Sequence, residues 1–295
     1  MPLSRPLARS VIVITGASSG IGASTALLLA REGTSLVLTA RAETDLRAVA
    51  EACQRRGAAV SWLTGDIADD STAERVAVRA EEDFGRLDGW VNNAGVALYC
   101  SILDVPVDEV RRVFDVDVLG MVLGVQAAVP RLRSAGGGVI VNVASVLGTI
   151  TAPWLAPYNA AKHAVVGLSG TLRQELRASG ERSVSVCTVL PAAIDTPLYE
   201  HAANHVGHPA RTLSPAYRPA KVAHVIANVL VRPRRHAYAG AAGRLAAASH
   251  AVAPGLTERI LTSYGNLLGI DRRHPAAQTT GNLYAPHGAR PDPTV

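Results

Sequence analysis

Short aliphatic, β-branched runs alternate with longer amphipathic stretches along most of this chain. The short runs lie at residues 11–14 (Val-Ile-Val-Ile), 35–40, 60–65, 87–91, 139–143 and 184–190. Runs of strand length with little polar alternation read as strands buried on both faces. The stretches at 23–32, 43–56, 70–84, 107–133 and 158–178 carry apolar residues at helical spacing. A helix at 219–231 and a short strand at 236–239 extend the series. Strands alternating with helices in this way predict an α/β fold: a doubly wound, mostly parallel sheet of seven strands, helices on both faces, one domain. The series ends near residue 240, dividing the chain into a core of residues 1–240 and an extension of residues 241–295.

Composition agrees with a well-filled core, since 48% of the 295 residues are hydrophobic and 18% charged. No apolar run approaches the roughly 18 residues of a membrane span, and the first ten residues lack the apolar centre of a signal peptide. Cys53, Cys100 and Cys187 are scattered without metal spacing. They read as reduced, buried thiols of a cytoplasmic protein. Charge is uneven: residues 201–295 hold 11 Lys and Arg against 3 Asp and Glu, whereas residues 1–200 hold 18 against 21. The basic residues are interleaved with Ala, Leu and Pro rather than massed. A solvated surface is therefore preferred to a nucleic-acid site, and no nucleic-acid partner is expected.

Candidate chemistry sits where strands end. Thr15-Gly-Ala-Ser-Ser-Gly-Ile-Gly22 follows the first strand and opens a helix. Glycines there let the backbone approach a pyrophosphate, and the helix N-terminus offers unpaired N–H groups. The spacing Gly16-x-x-x-Gly20-x-Gly22 departs from G-x-G-x-x-G, and a ligand-free tight turn is the alternative. The second strand ends on Arg41, where an acid would bind the ribose hydroxyl of NAD. An arginine suits the 2′-phosphate of NADP instead, so NADP (NADPH) is favoured and NAD is the lesser expectation. Asp66-Ile67 ends the third strand, where an adenine edge could be read, and Asn92-Asn-Ala-Gly95 ends the fourth. Ser145, Tyr158 and Lys162 lie in one further stretch, with Pro157 before the tyrosine at a helix start. Tyr158 and Lys162, four apart, share a helix face. An ammonium beside a phenol lowers its pKa, which would let Tyr158 exchange a proton near neutral pH. A half-buried tyrosine beside a solvated lysine is the bland alternative for that pair alone.

Taken together, residues 15–22, 92–95 and the Ser145, Tyr158, Lys162 set resemble the classical short-chain dehydrogenases/reductases over about residues 8–240. The resemblance implies a Rossmann-like fold, with residues 1–240 as the dinucleotide-binding catalytic domain. It implies NADP(H)-dependent hydride transfer to or from a carbonyl or secondary alcohol, in a homodimer or homotetramer. Tyr158 would be the general acid or base, Ser145 would bind the reacting oxygen, and Lys162 would hold the nicotinamide ribose. The cofactor would be lined by Gly16, Ser18, Ser19, Gly20, Ile21 and Gly22 of the first turn, and by Arg41, Asp66 and Ile67. Asn93, Ala94 and Gly95, then Tyr158 and Lys162, and finally Pro191, Ile194 and Thr196 would complete it. Two positions depart from the family. Asp117, in Val116-Asp-Val-Leu-Gly120, stands 28 residues before Ser145 where an asparagine is usual, and Ala192 follows Pro191 where glycine is common. An ionised Asp117 joins the catalytic set but would partly offset the ammonium's effect on Tyr158.

Beyond this core the reading thins. His201, His205 and His208 would share a face if their segment were helical, a plausible metal geometry. The segment nevertheless falls where the family has its substrate-covering loop, and lid or surface histidines without a metal are preferred. Leu256, Ile260, Leu261, Tyr264, Leu267 and Leu268 form an amphipathic stripe near four arginines. Packing on its own domain or a neighbouring subunit is preferred to membrane-surface docking. The chain from Pro275 reads as extended or disordered. Trp154, Leu155, Leu98 and Leu198 hint at an apolar substrate, but equally at core packing. A dinucleotide-sensing regulator or scaffold on the same fold is the second functional class; the intact Ser145, Tyr158 and Lys162 argue against it.

Overall fold

The computed structural model describes residues 3–286. After a short 3-10 turn at Leu7–Arg9 come β1 (Val11–Thr15), α1 (Gly20–Arg31), β2 (Ser35–Ala40), α2 (Glu43–Gln54), β3 (Val60–Thr64) and α3 (Thr72–Phe84). Next come β4 (Gly89–Asn92), a short β5 (Leu98–Tyr99), α4 (Val107–Phe114), α5 (Gly120–Ser134) and β6 (Gly138–Val143). Then follow α6 (Ala156–Ala178), β7 (Val184–Pro191), α7 (Leu198–His201), β8 (Ala203–Asn204), α8 (Pro219–Val231) and β9 (His236–Ala239). The extension adds α9 (Ala241–Val252) and α10 (Pro254–Leu268).

Seven strands form one sheet in the order β3-β2-β1-β4-β6-β7-β9, and every ladder in it is parallel. Consecutive side chains of a strand face opposite sides, so the apolar runs divide between two cores. Ile12, Ile14, Leu36 and Leu38 pack beneath α1, α2 and α8. Val11, Val13, Val37 and Ile140 pack against α3, α5 and α6. The doubly wound architecture expected from the alternation is present. Strand order reverses at β1, whose neighbours are β2 and β4, and the crevice at the strands' carboxyl ends opens there.

Residues 107–134 form one continuous helical rod whose most apolar 18-residue window has a mean hydropathy of 1.6. That is long and apolar enough to cross a membrane, contrary to the reading of the sequence alone. Much of it is buried, and Val113, Val116, Ala128 and Leu132 pack into the second core. Its apolarity has an explanation inside the fold. The rod is interrupted by a π-turn at Asp115–Leu119, for which the sequence offers no signal.

Candidate active site

The carboxyl ends of β1, β4, β6 and β7 border a cavity of about 580 Å³. At its floor Thr15 Oγ1 accepts the N–H groups of Asn93 and Ala94, each at 3.0 Å, which ties the end of β1 to the end of β4. Asn93 Nδ2 donates to the carbonyls of Thr15 at 2.9 Å and Gly16 at 3.1 Å. The glycine turn is thus braced from the next strand. Gly16 has φ +64°, and a Cβ there would lie 2.7 Å from Ala94 Cα. Ser19 caps α1 without a side-chain hydrogen bond, leaving the helix N-terminus to an anion.

Of the residues expected along a dinucleotide, all but Gly22 line this cavity. Gly22 is buried in α1, where a Cβ would meet the Gly16 carbonyl oxygen at 2.2 Å. It serves the close packing of turn and helix. Asn92 also turns away from the cavity: its amide joins Trp90 Nε1, Asn142 and, through Asn142, Ser169 in a buried chain of hydrogen bonds between β4, β6 and α6. At Pro191-Ala192 the alanine is no strain, because Trp154 is the one non-glycine residue with positive φ among the described residues.

The catalytic candidates converge from three elements. Ser145 follows β6 and its Oγ accepts the Leu147 N–H at 3.1 Å. Pro157 lies in the first turn of α6, and Tyr158 and Lys162 project from one face of that helix. Tyr158 and Ser145 both line the cavity, and Lys162 Nζ lies 5.4 Å from the Tyr158 ring centroid. Asp117, in the π-turn, sets its Oδ2 2.8 Å from Lys162 Nζ, while its Oδ1 accepts the Val96 N–H at 2.8 Å. The two charged side chains are 5% and 0% exposed, so this ion pair is fully desolvated.

That pair corrects the expected electrostatics. Burial and, secondly, the Asp117 charge push the Tyr158 phenol above its ordinary range, with the nearby Ser145 hydroxyl opposing them. Lys162 was expected to lower it; instead its ammonium faces a carboxylate at ion-pair distance. Burial likewise raises the Asp117 carboxyl, against the attraction of Lys162 and the Val96 N–H.

At the other end of the groove, Arg41 Nη1 lies 3.6 Å from Asp66 Oδ2, and Arg112 Nη2 bonds the same carboxylate oxygen. Arg112, from α4, was not foreseen; nothing near it in sequence marks it. The cavity wall also carries the apolar side chains Leu155, Leu198, Tyr199, Leu213, Leu261 and Tyr264, of which Leu155, Leu198 and Tyr199 pack with Tyr158 at the catalytic end. Leu98 is instead buried in the second core. Trp154 fixes α10 by donating from Nε1 to Asn266 Oδ1 at 2.9 Å. The stripe on α10 therefore divides: Leu261 and Tyr264 face the cavity, whereas Leu256 and Leu267 are 60% and 77% exposed.

The three histidines do not share a helix face. Helix α7 ends at His201, β8 follows, His205 Nε2 meets Glu109 Oε2 at 2.8 Å, and His208 Nδ1 meets the His274 carbonyl at 2.9 Å. Among the described residues no cluster of His, Cys, Asp and Glu could hold a metal ion. Residues 275–286, expected to be extended or disordered, contain no helix but are pinned by backbone bonds, and Leu283 is fully buried. The last nine residues, also part of that expectation, lie outside the described ones.

Residues 10–206, most of the fold just described, match the short chain dehydrogenase family. The chain belongs to that family. Among curated relatives, it is 36% identical to the Uncharacterized oxidoreductase YxnA of Bacillus subtilis over 259 residues, 87% of this chain and 72% of the relative. It is 38% identical to the Cis-4-hydroxycyclohexanecarboxylate dehydrogenase of Sinomonas cyclohexanicum over 197 residues, covering 66% of this chain and 78% of that one. A short chain dehydrogenase/reductase from Burkholderia phymatum, solved with NAD, superposes with a TM-score of 0.76 at 28% identity, covering 84% of this chain and 95% of that one. An alcohol dehydrogenase from Thermococcus sibiricus, solved with 5-hydroxy-NADP, gives 0.67 at 26%, covering 78% and 94%. As a short-chain dehydrogenase the protein is an oxidoreductase of alcohols and carbonyls that uses a nicotinamide dinucleotide. These neighbours carry both NAD and an NADP derivative, so they do not choose between the two.

Proposed function

We propose that the protein is an NADP(H)-dependent reductase of an apolar cyclic or branched carbonyl compound, working in the cytoplasm as a homodimer or homotetramer. The observation that carries this reading is the Ser145, Tyr158, Lys162 convergence at the apolar end of a groove whose far end holds Arg41. The braced glycine turn and the bare N-terminus of α1 fit a dinucleotide pyrophosphate. Arg41 and Arg112 fit a 2′-phosphate. A bound nicotinamide dinucleotide supplies or accepts the hydride at the substrate carbon.

The chain's own residues manage the oxygen. Ser145 and Tyr158 line the same cavity, so a substrate oxygen reaching both would be held by two hydroxyls. Tyr158, kept protonated by burial and by the Asp117 charge, would donate its proton to that oxygen. A phenol raised in this way is protonated at neutral pH, the state from which it can donate to a carbonyl oxygen. Lys162, fixed by Asp117, would meet the ribose beside the phenol. The apolar wall excludes water, and the ring alcohol in the name of the Sinomonas relative suggests cyclic ketones as first substrates.

The test is a screen of cyclic and linear ketones and aldehydes with NADPH and NADH, followed by Tyr158→Phe. The variant should lose about 10²–10⁴-fold in kcat/KM, the range of a positioned acid, with NADPH binding retained by fluorescence titration. Full activity in Tyr158→Phe would remove the catalytic assignment. Undiminished dinucleotide binding with no turnover on any carbonyl or alcohol would favour the sensing regulator instead.

A further inference from the structure

After α10 the chain turns back and runs beside the segment that follows β7. Arg211 N–H donates to the Gly269 carbonyl at 2.9 Å, Asp271 N–H to Pro209 at 2.9 Å and Ala276 N–H to Gly207 at 2.9 Å. Asn204 and Thr279 exchange both backbone bonds, at 2.8 and 3.0 Å, and Asn282 N–H donates to the His201 carbonyl at 2.8 Å. The strap crosses the cavity mouth, which Asn282 and Pro286 help to line. Leu283 then plugs into the core with no exposed surface. Gly281 permits the tight passage: its φ is +52°, and a Cβ there would stand 2.3 Å from the His201 carbonyl oxygen.

The plug delivers two main-chain carbonyls to the adenosine end. Arg41 Nη1 donates to the Leu283 carbonyl at 2.9 Å and Nη2 to the Asn282 carbonyl at 2.5 Å. Arg112 Nε donates to the same Leu283 carbonyl at 2.8 Å. Two guanidinium groups therefore converge on one acceptor, with a single carboxylate, Asp66, between them. This is the donor arrangement that suits a phosphate oxygen, and here backbone oxygens fill it.

We propose that residues 279–286 are a resident competitor for the adenosine 2′-phosphate, so that NADP binds by releasing the strap whereas NAD binds beneath it. The proposal rests on Arg41 as the 2′-phosphate group. Both terminal nitrogens of Arg41 are committed to the strap, and a ribose without the phosphate makes no claim on them. The strap also pairs with the segment after β7, Thr279 with Asn204 and Asn282 with His201. Its release would loosen the segment bordering the apolar wall, linking the identity of the cofactor to access for the substrate.

Hydrogen exchange on the full chain tests this without a mutation. Saturating NADP should speed exchange at Thr279 and Asn282 by about tenfold or more, while NAD leaves both protected. Equal protection with the two cofactors would overturn the proposal. Fluorescence titration of Gly281→Val, and of a chain ending at Gln278, provides a second reading. Both should bind NADPH about tenfold tighter, since two charge-assisted hydrogen bonds no longer compete, with NADH affinity within about twofold. Retained NADH affinity also shows that these variants are folded. NADPH binding that is unchanged or weaker overturns the competition.

Arg41→Ala in the chain ending at Gln278 separates the two layers of inference. If it erases the NADPH gain, both stand. If truncation gives no gain but Arg41→Ala still lowers NADPH selectively, only the strap's role falls. If Arg41→Ala leaves the NADPH to NADH ratio untouched in either background, the phosphate assignment falls, and the proposal with it.

Discussion

The two ends of the groove are built differently. At the catalytic end, Ser145, Tyr158 and Lys162 are set by a strand terminus and one face of α6, and the buried partner Asp117 comes from the adjoining rod. At the adenosine end, Arg41, Asp66 and Arg112 come from three separate elements and are joined by a strap more than 160 residues further along the chain. Arg41 and Asp66 keep 19% and 18% exposure, while the Lys162–Asp117 pair keeps almost none. Charge in the first place is part of the fold's own cohesion. In the second it is held ready for exchange, because water and alternative acceptors can replace each contact at modest cost.

Breaking the buried pair should have the largest effect. Lys162→Met leaves Asp117 uncompensated in the core and should cost about 3–5 kcal/mol of stability, measured by denaturant unfolding at neutral pH. Burial already raises the Asp117 carboxyl in the native protein, and losing the ammonium removes an opposing influence. A carboxyl with a raised folded-state pKa binds more protons folded than unfolded. Its stabilising contribution is full below the unfolded value, about 3.9, and is lost as pH rises through the folded value. The variant's deficit should therefore shrink toward about pH 4. A pH-independent deficit, or none, would show that the pair is not what holds this end.

The adenosine end should respond in binding rather than in stability. Arg41→Ala is expected to weaken NADPH by about 10- to 100-fold, the value of hydrogen bonds to a charged group. NADH should change by less than about threefold, and unfolding stability by less than about 1 kcal/mol, as for a partly exposed pair. Equal losses for both cofactors would remove the distinction between the two ends.

The sequence made these ends unequally legible. Ser145, Tyr158 and Lys162 are near neighbours, and a helix period of 3.6 residues is enough to put Tyr158 and Lys162 on one face. The two-core sheet was readable for a similar reason, since its strands are continuous apolar runs. Arg112 and Leu283 carried no such mark: an arginine on an amphipathic helix and a leucine in a Pro- and Gly-rich tail look like ordinary surface. Their roles arise from tertiary docking, which neither periodicity nor spacing encodes. Asp117 is intermediate. Its position relative to Ser145 and the sign of its effect on Tyr158 were legible, but the π-turn that carries it and the dominance of burial over Lys162 at the phenol were not.

Asp117→Asn gives the smallest and most diagnostic effect. The amide oxygen can still accept the Val96 N–H, as Asp117 Oδ1 does at 2.8 Å, so the turn should survive. The ion pair is lost and the Lys162 ammonium is left buried without a counter-charge, so stability should also fall; asparagine is the residue usual at this place in the family, which holds that loss below the one in Lys162→Met. What changes is the field at Tyr158: the Asp117 charge, which pushes the phenol upward, is gone. Deprotonation of Tyr158 should then occur at lower pH. Alcohol oxidation, which needs the phenolate as base, should rise at lower pH than in the parent, and carbonyl reduction should begin to fail earlier on the alkaline side. The change in kcat at neutral pH should be a few-fold, because Ser145, Tyr158 and Lys162 remain. Profiles of kcat for both directions across about pH 6–10 read the shift. A uniform loss of activity with unmoved profiles would make Asp117 a packing residue, and the asymmetry between the two ends would then lie in burial alone, not in the tuning of the phenol.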